Sequence, residues 1–131
     1  MRLTVMRLAP ANCQVALLVP DAEELPPEWP GPTGHEVVVG NSAAIYVATI
    51  ADVDGDVTVE VWVAEEPQHP HGEPIYDGIL QVRDAGALVG SVTGNHLGHL
   101  LLAEGERRVR VYTDAPAEHP EWAEHVDFVL D

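Results

Sequence analysis

Apolar and polar residues alternate along much of this chain. Val57, Val59, Val61 and Val63 interleave with Thr58, Glu60, Trp62 and Ala64, a period of two that turns one face of a strand toward a core and the other toward solvent. The same period sets Val109 and Val111 against Arg108, Arg110 and Tyr112, and Val126, Phe128 and Leu130 against Asp127 and Asp131. Further β-rich runs at residues 3–8, 14–19, 36–39, 44–50, 75–82, 88–92 and 97–102 bring the expectation to about ten strands at the short spacing of a sandwich or barrel. Asp54-Gly55, Asp84-Ala85-Gly86, Gly94-Asn95 and Gly105 fall between runs and tolerate the positive φ of a chain reversal. Residues 21–25 and 117–125 leave room for a helical turn or two at most, because Pro26, Pro27 and Pro120 bound them. The expected fold is all-β: a single-domain antiparallel β-sandwich, jelly-roll-like, of about 8–10 strands over residues 1–131.

Composition narrows the function classes. The 131 residues suit one domain, and 46% apolar content supplies enough core to fold despite a formal net charge of −16. All six basic residues are Arg, at positions 2, 7, 83, 107, 108 and 110, so residues 8–82 carry 13 carboxylates and no Lys or Arg. Such a stretch projects a negative field that repels nucleic acid and anionic lipid and attracts basic partners. No run approaches the roughly 20 apolar residues of a membrane helix. The early arginines and the apolar residues 15–19 suggest a signal peptide, but Asn12, Cys13 and Gln14 interrupt the run and Pro20-Asp21 makes a poor cleavage site. With Cys13 as its one cysteine the chain forms no internal disulfide, and the expected location is cytoplasmic.

Several groupings invite a chemical reading. Asp52-Val53-Asp54-Gly55-Asp56 resembles a calcium loop, yet its Gly is fourth rather than sixth and the twelfth position is Val63, so a tight acidic hairpin turn accounts for it better. Of seven histidines, His69 and His71 flank Pro70 with Glu73 beyond, and His96 and His99 flank Leu97-Gly98. The plainer explanation is exposed loop histidines at 69 and 71 and a partly buried, hydrogen-bonded His99 on the face of Leu97 and Leu101, because paired metal-ligand spacing is lacking. Cys13, Ser42 and Ser91 have no nucleophile elbow around them, and neither a phosphate loop nor a dinucleotide fingerprint occurs. No motif supplies a reactive group together with its activator, so the expectation is a non-enzyme without cofactor.

Residues 20–35 hold five prolines and four acids, and residues 65–74 three prolines and two histidines; both read as extended, solvated loops. Trp29 sits in the first, Trp122 lies in the acidic residues 118–124, and Trp62 faces away from the valines of its strand. Large aromatics among carboxylates suit a contact surface, although lids closing the ends of a sandwich fit as well. The candidate contact set is Asp21, Glu23, Glu24, Glu28, Trp29, Glu65, Glu66 and Glu73.

Residues 75–82 (Ile-Tyr-Asp-Gly-Ile-Leu-Gln-Val), then Leu88-Val89-Gly90 and Arg107-Arg108-Val109-Arg110-Val111-Tyr112, resemble a pattern in small bacterial β-sandwich proteins of mostly unassigned function. In layout this stretch, residues 75–130, is loosely similar to the nuclease-inhibitor type represented by competence protein J. The resemblance and the charge together imply an acidic binding protein, an inhibitor or immunity factor for a basic nuclease or toxin. Its carboxylates would mimic a nucleic-acid backbone in the partner's cationic site. The alternative is a metal- or small-ligand-binding sandwich using His69, His71 and Glu73, with His96 or His99. A third reading assigns the charge to solubility alone.

Overall fold

The computed structural model describes residues 1–65, 67, 72–93 and 96–131. Ten strands form: β1 (Arg2–Leu8), β2 (Gln14–Leu18), β3 (Val38–Gly40), β4 (Ala44–Ala48), β5 (Val57–Val63), β6 (Tyr76–Val82), β7 (Ala87–Ser91), β8 (His96–Leu100), β9 (Gly105–Thr113) and β10 (His125–Leu130). Every run with a period of two becomes a strand. They assemble into two five-stranded sheets, β1-β5-β10-β9-β6 and β3-β4-β2-β7-β8, packed face to face as a sandwich. The all-β expectation holds, and the residues 21–25 and 117–125 carry turns and bends rather than helix.

Between the sheets lie Val57, Val59 and Val61 of β5, Val126, Phe128 and Leu130 of β10, Val109 and Val111 of β9, and Val15, Leu17, Ile45, Val47 and Val89 of the second sheet, all fully buried. Each such side chain contributes about 1.5–3 kcal/mol by leaving water. One pairing departs from the antiparallel expectation. β10 lies parallel to β5, with Asp127 beside Glu60 and Phe128 beside Val61, while β9 pairs with it antiparallel on its other side.

The acidic residues 52–56 do not close a hairpin. β4 belongs to one sheet and β5 to the other, so a 3-10 turn at Asp52–Asp54 and Gly55 at φ 133° carry the chain across the end of the sandwich. Asp-Gly chemistry specifies a reversal but not which sheet receives the next strand. The proline-rich residues 20–35 are not fully solvated either. They run from the end of β2 to the start of β3, and Trp29 packs edge-on against Tyr46 of β4, ring centroids 6.3 Å apart. The loop is a strap over the outer face of the second sheet.

Side-chain contacts close the two flanks. At one, Tyr76 of β6 reaches β3: its phenol lies so near Gly40 and Gly78 that a Cβ at either would collide with the ring. At the other, Met6 of β1 approaches Gly98 of β8.

Candidate functional site: an acidic, aromatic groove at one end

β2, β5 and β10 begin, and β4 and β9 end, at the same end of the sandwich; Thr49 donates to the Cys13 carbonyl and Ile50 to that of Ala123 there. The connections at this end border an open groove of about 930 Å³. Trp29 and Trp122 contribute indoles, Glu36, Asp54, Glu121 and Glu124 contribute carboxylates, and Cys13 and His35 also face it. Arginine is absent from its described lining. The nearest chemistry to this arrangement is a receptor for a cation, since indole faces and carboxylates both attract guanidinium or ammonium groups.

Local interactions fix each wall. Asp114 accepts from the backbone N–H groups of Glu124 and His125, both at 2.9 Å, and so ties down the loop that carries Trp122. Trp122 is half exposed and stacks on His119 with ring centroids 3.6 Å apart. His119 also contacts Glu121 at 3.2 Å; the backbone N–H of Glu121, opposed by desolvation and joined by His119, holds that carboxyl below its ordinary range. Desolvation pushes Glu36 up, but hydrogen bonds from the Thr33 side chain and from backbone N–H groups of Thr33, Glu36 and His35 outweigh it and lower its pKa. Both carboxylates therefore hold their charge to lower pH than an ordinary glutamate. Asn12 and Cys13 take φ values of 57° and 55°, a left-handed pair that L-residues adopt at a cost of about 1–2 kcal/mol each. The strain is held by Ala11 N–H donating to Ser91 Oγ and Asn12 Nδ2 to Thr93 Oγ1.

The candidate contact set divides. Glu23 contacts Arg83 at 3.7 Å beyond β6, and Glu24 accepts from the Ser42 hydroxyl, both at the end of the sandwich opposite the groove. Glu65 pairs with the N-terminal amine of Met1 at 2.7 Å, at the other edge of the first sheet. Asp21, Glu28 and Glu73 are exposed, and among the described members of the set Trp29 alone enters the groove. Glu66, His69 and His71 lie outside the described residues. The geometry therefore spreads the described members over separate places and draws into the groove Glu36, Glu121 and Glu124, which sequence reasoning did not single out, together with Asp54, which it read as part of an acidic turn. His96 and His99 do not converge: His99 is hydrogen-bonded as expected, to the Ala85 carbonyl at 2.6 Å, but it is exposed rather than partly buried, as is His96. Ser91 is buried under Ala11, and Cys13 is exposed.

Arginine charge is largely consumed nearby. Arg2 pairs with Glu60, Arg7 with Asp56, Arg83 with Glu23, Arg108 with Asp77 and Arg110 with Asp131, none of these carboxylates lining the groove. Arg107 donates to the carbonyls of Asp131 and Ala103.

No helix among the described residues is long and apolar enough to cross a membrane. No protein-family model matches this chain, and no curated protein does. Among solved structures, the crystal structure of ComJ, inhibitor of the DNA degrading activity of NucA, from Bacillus subtilis, is similar: 13% identity, 99% of this chain and 96% of that chain covered, TM-score 0.68. The likeness runs through the whole sandwich rather than residues 75–130 alone, and this chain shares the ComJ type of fold.

Proposed function

We propose that this protein is an acidic inhibitor of a DNA-degrading nuclease, binding the enzyme as a protein partner rather than acting as an enzyme itself. The observation that carries the reading is the end-to-end likeness to ComJ, which is such an inhibitor. A net charge of −16 supports it, because a nuclease that grips DNA phosphates presents a cationic cleft. The groove supports it as well. A lysine or arginine at the rim of that cleft would enter between Trp29 and Trp122 and meet Glu36, Asp54, Glu121 and Glu124. Exposed Asp21, Glu28 and Glu73 would extend the negative field and speed the encounter.

The test is a DNA-degradation assay with a basic nuclease from the same cell and increasing amounts of this protein. Stoichiometric inhibition is expected, weakening as salt rises and weakened at least about tenfold by Trp122→Ala, whose side chain is half exposed and anchors nothing in the core. Full nuclease activity at molar excess and low ionic strength would sink the reading.

A further inference from the structure

The outer face of the first sheet holds a cluster that the inhibitor reading leaves unused. Because β5 and β10 run parallel and in register, Glu60 stands directly beside Asp127, and His125 lies two residues before Asp127 on the same face. His125 Nε2 is 2.8 Å from Glu60 Oε2 and 3.0 Å from Asp127 Oδ1, and the three donor atoms lie within 4.8 Å of one another. Asp127 is 1% exposed, whereas the His125 side chain keeps 27% of its surface in water, so the cluster is walled on one side and open on the other. Arg2 holds the far oxygen of Glu60, Oε1, at 2.9 Å and leaves Oε2 turned to the imidazole.

We infer that Glu60, His125 and Asp127 form a binding site for one first-row divalent metal ion, of the zinc or manganese class. Donor separations of 2.8 and 3.0 Å match two neighbouring ligands of an ion with bonds near 2.0–2.2 Å, given an outward adjustment of a few tenths of an ångström for a tetrahedral ion. Calcium is the wrong guest, since it asks for six to eight oxygens and longer bonds. One imidazole with two carboxylates suits a borderline or moderately hard ion, and solvent on the open side would complete its coordination. The ion would take the place now held by the Nε2 proton that faces both carboxylates, and that proton would pass to water.

The site is separable from nuclease inhibition. It rests on β5 and β10, and a metal-free protein that inhibits, or a metal-loaded one that does not, decides the two questions apart. The experiment is titration of untagged, chelator-treated full-length protein with zinc chloride, manganese chloride and calcium chloride, followed by calorimetry and by NMR of the His125 ring. The expected result is one equivalent of zinc or manganese, movement of the His125 ring signals in step with it, and no response to calcium. His125→Gln should lower zinc affinity on the order of 100-fold, whereas the double variant His69→Ala/His71→Ala should retain the site. Glu60→Gln, which also gives up the ion pair with the exposed Arg2, gives the same reading should His125→Gln misfold. Unmoved His125 signals in the wild-type protein at saturating zinc, or zinc binding that survives in His125→Gln and vanishes in the loop double variant, would overturn the assignment.

Discussion

Asp77 and Arg108 meet in two parallel hydrogen bonds of 2.9 and 2.5 Å between neighbouring strands β6 and β9. The Arg108 hydrogen bond, opposed by desolvation and joined by the charges of Arg108 and Arg110, lowers the Asp77 pKa. A carboxyl with a depressed folded-state pKa stabilises the fold above its unfolded value of 3.8, and that contribution disappears as pH falls through the folded-state value. Thermal melts between about pH 6 and pH 2 should therefore show Asp77→Asn losing less stability on acidification than the wild type. A steeper loss in the variant would contradict this. Asp114 is the second telling residue, because one of its oxygens satisfies two backbone donors at once. Asp114→Ala should cost on the order of 1–3 kcal/mol and speed amide exchange at Glu124 and His125, leaving the remote Val89 amide as slow as before. Of these residue-level features, sequence reading reached none. Asp77 and Arg108 are 31 positions apart, and their meeting depends on a strand register that composition does not encode.

Elements were far more legible than contacts. Ten runs of alternating or continuous apolar residues became ten strands because a one-residue slip would move every valine of β5 from the core to solvent. What the alternation left open was partnership: it did not reveal that β4 and β5 lie in different sheets, or that β5 and β10 run parallel. The groove was hidden for the same reason. Its walls come from the turn before β2, the strap, the end of β4, the β4–β5 crossing and the loop before β10, so Trp29, Trp122, Cys13 and Asp54 stood out singly and not as one site. Tyr76 makes the flank between β6 and β3 testable. Gly40→Ala should destabilise by about 1–3 kcal/mol, since the added methyl has the phenol ring in its place. Adding Tyr76→Leu should recover part of that loss in a double-mutant cycle, and strict additivity of the two changes would show that they do not touch.

For the whole molecule, 22 acids against six arginines set both stability and association. Most guanidinium groups already sit on carboxylates, so the remaining negative charge acts on itself as well as on partners. Added sodium chloride should raise the melting temperature of the free protein while it slows association with a basic nuclease, measured by stopped-flow fluorescence of Trp29 and Trp122. A melting temperature that falls with moderate salt would mean that the local ion pairs outweigh the global repulsion. The position of β10 has an effect on how the chain reaches this state. As synthesis proceeds from the N-terminus, β1 and β5 can zip into one ribbon and β6 and β9 into another, but the first sheet has a vacant seam between β5 and β9. The strand that fills it comes from residues 125–130. Until those six residues clear the ribosomal tunnel, the nascent polypeptide holds two unjoined halves with Val59, Val61, Val109 and Val111 still wet, so the first sheet closes only when β10 docks.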